Sequence, residues 1–83
     1  MKSIYAITPS GIDFKKLINE IEKMLSLGIK LFQYREKSLS EEQLKNNASI
    51  LLEVIKKNNG KLLINDSPKI AVEIGADGFH LGM

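Results

Sequence analysis

Three short groups of polar residues carry side chains that could do chemistry, and each follows an apolar segment. The first group is the run Gln33-Tyr34-Arg35-Glu36-Lys37, the second is the pair Asn65-Asp66, and the third is the single histidine His80. Arginine forms a two-pronged hydrogen-bonded fork to phosphate oxygens, and lysine adds a mobile positive charge. Aspartate is a natural ligand of Mg²⁺, which prefers one or two carboxylates together with substrate phosphates. The three groups together suit a diphosphate that is transferred or expelled.

Side chains alternate along a strand, so Gln33, Arg35 and Lys37 are predicted to point one way while Tyr34 and Glu36 point the other. Each group also has a plainer interpretation. Charged residues at 33–37 are typical of a solvated strand exit, and Asp66 could cap the helix that follows it. A lone strand histidine such as His80 is usually a hydrogen-bonded structural residue.

Composition narrows the possible functions. The 83 residues include 12 Lys+Arg, 10 Asp+Glu, one His and no Cys, for a net charge of +2. This balance leaves no basic patch for nucleic acid, and the missing cysteines exclude disulfides, thiolate nucleophiles and zinc sites built on cysteine. No apolar run approaches the roughly 20 residues of a membrane helix. We therefore expect a soluble cytoplasmic protein that acts on small molecules.

The elements that must position these groups alternate between strand and helix. Strands are predicted at 3–8, 29–34, 61–64 and about 78–81, and helices after Asp13, Ser40 and Ser67, with glycines 28 and 75 ending the first and third. The helix after Ser40 has a capping-box spacing, and its predicted inner face is Leu44, Ala48, Leu51, Leu52 and Ile55.

The order β-α-β-α-β-α-β predicts an α/β fold with a parallel sheet and right-handed crossovers. Such a chain fits either the first half of a (β/α)8 barrel or a small doubly wound sheet. In both, working residues lie at the carboxyl ends of the strands, so the three polar groups are expected to converge on one edge. A four-stranded half-barrel leaves two open edges, so we expect a partner chain or a missing remainder.

Segments 4–8, 33–37, 62–66 and 75–82 are similar, in order and spacing, to the opening strand and first three motifs of the thiamine phosphate synthase family. The resemblance implies a TIM-type (β/α)8 barrel and a transferase of thiamine biosynthesis. That enzyme joins 4-amino-5-hydroxymethyl-2-methylpyrimidine diphosphate to a thiazole phosphate and releases pyrophosphate.

The resemblance also implies roles for individual residues. The pyrimidine diphosphate would be held by Gln33, Tyr34, Arg35, Glu36, Lys37 and Asn65, with Asp66 binding Mg²⁺. Arg35 and Lys37 would be catalytic, because they stabilise the charge that grows on the leaving pyrophosphate.

The resemblance covers only the N-terminal part of the family's barrel. Residues 1–83 would form one partial barrel domain, and Met83 stands where the family usually has glutamine. We expect either a homo-oligomer or a fragment that needs its C-terminal half. Two alternatives stay open, namely a related thiazole tautomerase and a non-catalytic half-barrel with a binding or regulatory role.

Overall fold

The computed structural model describes residues 5–80, without the side chains of Tyr5 and His80. The elements are β1 (Tyr5–Ile7), α1 (Phe14–Ser26), β2 (Leu31–Tyr34), α2 (Glu41–Lys57), β3 (Lys61–Asn65), α3 (Pro68–Ile74) and β4 (Gly78–His80). The predicted alternation of strand and helix is confirmed, with β2 two residues shorter at its start. Residues 3, 4 and 81 of the predicted strands lie outside the described part of the chain.

The helices begin and end at the residues that local chemistry predicts. The Asp13 side chain accepts a hydrogen bond from the Lys16 amide, and Ser40 forms the complete capping box with Gln43. Ser67 is the N-cap of α3 ahead of Pro68, although its side chain makes no capping hydrogen bond. Glycines 28 and 75, which follow α1 and α3, have φ of +95° and +74°, the left-handed conformation that glycine adopts without strain.

The four strands form one parallel sheet in the order β1-β2-β3-β4. Ile7 pairs with Gln33, Gln33 with Leu63, and Leu63 with Gly78, while Asn65 pairs with His80. Because every strand runs in the same direction, all four carboxyl ends lie along one edge. The parallel sheet expected from the sequence is therefore confirmed, and with it the edge on which the polar groups were expected to converge.

The core lies between the sheet and its three helices. The three helices lie on one face of the sheet, where α2 contacts α1, α3 and β3. Among the described side chains, fourteen apolar residues are buried in this cluster: Leu17, Ile21, Leu25, Phe32, Tyr34, Leu44, Ala48, Leu51, Leu52, Ile55, Leu62, Ile64, Ile70 and Ala71. They include the whole predicted inner face of α2.

The opposite face of the sheet has no helix of residues 5–80 packed on it. Ile7, on this face, is 51% exposed, and Leu31 and Leu63 on the same face are only partly buried. Among residues 5–80, no helix is both long and apolar enough to cross a bilayer.

Candidate functional site at the carboxyl edge of the sheet

The predicted site residues lie along the carboxyl edge of the parallel sheet. Gln33 and Tyr34 are the last two residues of β2, and Arg35 to Lys37 follow them directly. Asn65 ends β3, and Asp66 is the next residue. The backbone of His80 ends β4 in register with Asn65. The fold thus brings the three polar groups to one edge, while the histidine side chain lies outside the described atoms.

The predicted alternation is confirmed for Gln33 and Tyr34, which lie on opposite faces of the sheet. The predicted directions of Arg35, Glu36 and Lys37 stay a prediction, because β2 ends at Tyr34 and period-two alternation holds only within a strand. Arg35 and Lys37 are exposed in the loop after β2. Tyr34 is 2% exposed and belongs to the core cluster on the helix side, where its hydroxyl makes a long contact of 3.5 Å with Asn47 of α2. Burial raises the pKa of Tyr34, so its phenol stays neutral.

Gln33, which is 4% exposed, lies on the face of the sheet opposite the helices. It pairs with Ile7 on one side and Leu63 on the other. Its amide therefore stands among apolar neighbours just below the edge that carries Arg35. A buried amide can fix the orientation of a polar heterocycle, because it offers one acceptor and two donors in a fixed plane.

Two side chains of the loop between β1 and α1 form hydrogen bonds with the backbone of Arg35. The Arg35 amide donates to Thr8 Oγ1 at 3.0 Å, and the Ser10 hydroxyl donates to the Arg35 carbonyl at 3.1 Å. Thr8 is itself 3% exposed, and its amide donates to the Gln33 carbonyl at 2.9 Å. Sequence reasoning missed these two hydroxyls, because Thr8 was interpreted only as the end of the first strand and Ser10 only as part of the turn that follows it. The available signal was a hydroxyl-bearing residue at the carboxyl end of a predicted strand.

Glu36 joins two loops of the same edge. Its Oε2 accepts from the Gly11 amide at 2.9 Å, and its Oε1 accepts from the Ser38 amide at 3.1 Å and the Ser38 hydroxyl at 2.8 Å. The Gly11 amide lowers the pKa of Glu36 most strongly, with Ser38 adding to the effect, since hydrogen bonds to a carboxylate favour its charged form. Glu36 is therefore held as an anion between the β1–α1 and β2–α2 loops.

The end of β3 presents one exposed carboxylate. Asp66 has φ of +57°, a left-handed conformation that aspartate tolerates better than most residues, and its Oδ2 accepts from Asn65 Nδ2 at 3.1 Å. The alternative that Asp66 caps α3 in place of Ser67 is wrong, since Ser67 occupies the N-cap position. Asp66 thus lies in the turn between the end of β3 and the start of α3.

A metal site at this edge could use Asp66 as its protein ligand. Within residues 5–80 no group of three or more His, Cys, Asp or Glu side chains is arranged to hold a metal ion. A single carboxylate is compatible with Mg²⁺, which keeps several waters and is often bound by one or two carboxylates plus substrate phosphates. An exposed aspartate after β3, on the edge that also carries Arg35 and Lys37 after β2, fits that mode of binding.

Asp77 braces the opposite edge of the sheet. Its Oδ2 accepts from the Leu62 amide at 2.8 Å, and its own amide donates to the Leu62 carbonyl at 3.0 Å. This aspartate belongs to the third sequence motif, yet it stands where β3 and β4 begin. Its contacts give it a structural role.

The fold and the site define a parallel α/β protein with cations, an amide and a carboxylate along the carboxyl edge of its sheet. A profile described as thiamine monophosphate synthase matches residues 4–83. The chain therefore belongs to the thiamine monophosphate synthase family.

Named relatives agree with this assignment. The chain is 37% identical over its whole length to a thiamine-phosphate synthase of Methylobacillus flagellatus, of which it covers 40%. It is 42% identical over 95% of its length to a thiamine-phosphate synthase of Nitrosospira multiformis, of which it covers 34%. It is 39% identical over 96% of its length to a thiamine-phosphate synthase of Methanobrevibacter smithii, of which it covers 38%. The chain thus spans well under half the length of these relatives.

Proposed function

We propose that this chain is the pyrimidine-diphosphate-binding part of a thiamine-phosphate synthase, a transferase that joins a pyrimidine diphosphate to a thiazole phosphate. The observation that carries the proposal is the family match over residues 4–83, which includes all three polar groups of the carboxyl edge. The same match supports the finer fold proposal. The four parallel strands, with helices on one face and none of residues 5–80 on the other, would be the N-terminal half of a (β/α)8 barrel.

The proposed substrate contacts use the residues at the ends of β2 and β3. Arg35 and Lys37 are exposed cations that can bind a diphosphate, the arginine in a two-pronged fork. Gln33 and Asn65 would orient the aminopyrimidine through their amides. Tyr34 and Glu36 stay predicted substrate residues of the same run, although Tyr34 is packed on the helix side.

The proposed reaction breaks the carbon–oxygen bond between the pyrimidine methylene and the diphosphate. The bond electrons leave with pyrophosphate, and the electron-rich aminopyrimidine tolerates the positive charge left on the methylene. The thiazole nitrogen then forms the new carbon–nitrogen bond. Arg35 and Lys37 lower the barrier, because they stabilise negative charge as it accumulates on the leaving group.

Mg²⁺ is the proposed cofactor, and Asp66 is the residue of this chain that would hold it. When bound, the ion would supply further neutralisation of diphosphate charge. The remaining site, including the surface for the thiazole phosphate, is proposed to come from a C-terminal half or from a second copy. A cytoplasmic location also stays a prediction.

Calorimetric titration with the pyrimidine diphosphate, with and without Mg²⁺, tests this proposal. We expect Mg²⁺-dependent binding that Arg35→Ala weakens by about 10- to 150-fold, the range for losing a charged hydrogen bond. Asp66→Asn is expected to remove the Mg²⁺ dependence. Lys57→Ala is the matched control, since Lys57 is an exposed cation at the end of α2, away from the carboxyl edge.

Two outcomes would contradict the proposal. Equal binding of the pyrimidine diphosphate by wild type and Arg35→Ala would show that the cations after β2 are only solvated surface charges. Binding of the thiazole phosphate without Mg²⁺-dependent binding of the pyrimidine diphosphate would favour the tautomerase alternative. A thiamine phosphate formation assay with both substrates then shows whether the 83-residue chain is catalytic or only a binding half-barrel.

A further inference from the structure

The β1–α1 loop and the segment after β2 are tied together by side-chain hydrogen bonds between residues far apart in sequence. Thr8 and Ser10 contact the backbone of Arg35, and the Gly11 amide contacts the carboxylate of Glu36. These contacts span 25 to 27 residues of sequence. We call Thr8, Ser10, Gly11, Glu36 and Ser38 the loop brace.

The brace fixes the main chain that carries the Arg35 guanidinium. Both backbone polar groups of Arg35 are hydrogen-bonded, the amide to Thr8 and the carbonyl to Ser10. Arginine loses considerable rotamer freedom when its side chain is ordered on a ligand. A backbone that is already held in place adds no further ordering cost, which favours binding.

The hydrogen bonds of the Glu36 carboxylate are made within the protein. A carboxylate offers about four acceptor positions, and three of those of Glu36 already accept from donors of this chain. A free carboxylate between Arg35 and Lys37 would also repel a diphosphate. Its hydrogen bonds and its charge therefore both argue against contact with that group.

We propose that Thr8 and Glu36 are positioning residues that hold Arg35 in place for a diphosphate, and that Glu36 does not bind the diphosphate itself. This inference rests on the function proposed above for Arg35. It replaces the sequence prediction of Glu36 as a substrate-binding residue with a role inside the protein. Thr8, which is buried, has the same role without being part of any of the three polar groups.

The first test measures the binding of inorganic pyrophosphate with Mg²⁺ to the chain. We expect Glu36→Ala to weaken binding by about fivefold to tenfold, as the loss of one positioning hydrogen bond would. Coulomb's law alone predicts the opposite sign, because the variant removes a negative charge near an anion. Thr8→Val should weaken binding similarly and Thr8→Ser should restore it, since serine keeps the acceptor oxygen.

Control variants separate this inference from the proposed function. Glu53→Ala removes an exposed carboxylate in the C-terminal part of α2, and it should not weaken binding. If wild type does not bind pyrophosphate, or Arg35→Ala binds it equally well, the proposed function fails. If Arg35→Ala weakens binding but Glu36→Ala and Thr8→Val do not, only the brace inference fails.

Amide hydrogen exchange tests the brace without any ligand. Glu36→Ala should accelerate exchange at the Arg35 amide, which Glu36 does not contact, and Thr8→Val should accelerate exchange at the Gly11 amide, which Thr8 does not contact. Exchange in the buried strand β3 should stay unchanged, which also verifies folding. Glu36→Gln, which keeps one acceptor oxygen, should give intermediate rates. Unchanged rates at both reporter amides would overturn the inference.

Discussion

Replacing Asp77 with alanine should destabilise the fold without touching the carboxyl edge. The Asp77 carboxylate accepts the Leu62 amide hydrogen bond at 2.8 Å, and Leu62 is fully buried at the start of β3. The bond in the other direction, from the Asp77 amide to the Leu62 carbonyl, remains in the variant.

The size of the effect follows from the kind of hydrogen bond that is lost. A hydrogen bond to a charged group contributes about 1.5–3 kcal/mol, and a buried donor left unsatisfied costs about 1–3 kcal/mol. Because Asp77 is exposed and its carboxylate is well hydrated, we expect the low end, about 1.5–2 kcal/mol. With a urea m-value of about 1 kcal/mol/M for so small a chain, the unfolding midpoint should fall by about 1.5–2 M.

Urea unfolding followed by circular dichroism measures this loss. Asp77→Asn, which keeps a neutral acceptor oxygen, should lose about half as much. Glu22→Ala, which removes an exposed carboxylate from α1, is the control and should stay within about 0.5 kcal/mol of wild type. The reasoning is refuted if Asp77→Ala unfolds within that same margin, because the Leu62 amide would then need no acceptor.

Two further predictions concern Glu36 and Gly60. The folded-state pKa of Glu36 is lowered from 4.5, chiefly by the Gly11 amide, so its contribution to stability is present above the unfolded pKa and is lost as pH falls through the folded pKa. The difference in unfolding free energy between wild type and Glu36→Gln should therefore be constant near neutral pH and shrink below pH 4.5. Urea titrations down to about pH 3 measure this difference, and a difference that does not change with pH would contradict the prediction. Gly60→Ala should cost about 1–3 kcal/mol, because the new Cβ would lie 2.8 Å from Ile55 Cγ2 and 3.0 Å from the Lys30 carbonyl oxygen. A thermal unfolding midpoint of Gly60→Ala equal to that of wild type would show that the junction between α2 and β3 accommodates the added methyl group without cost.

Local chemistry determined most of the elements. The side chains of Asp13 and Ser40 bond to amides three residues further on, so a capping residue and its helix are visible together in the sequence. The apolar spacing predicted the buried face of α2, because a helix repeats every 3.6 residues wherever it lies. The alternation of strands and helices predicted the parallel sheet, and a parallel sheet places every strand end at one edge.

The start of β2 shows where local reasoning fails. Residue types predicted a strand from residue 29, yet β2 begins at Leu31, where its pairing with Tyr5 and Lys61 begins. A strand is completed by its neighbours, so its first residue is not encoded in its own sequence alone.

Tertiary structure alone decided which polar residues of the motifs form hydrogen bonds within the protein. Arg35 and Glu36 are adjacent in one motif, and sequence reasoning gave both to the substrate. In the folded chain the Glu36 carboxylate accepts a hydrogen bond from the Gly11 amide, 25 residues away. The Thr8 hydroxyl accepts one from the Arg35 amide, 27 residues away. Asp77 belongs to another motif and bonds to Leu62, 15 residues away. The sequence determined which side chains the carboxyl edge contains, but their hydrogen-bond partners became known only once the strands were side by side, because a hydrogen bond requires two groups within about 3 Å.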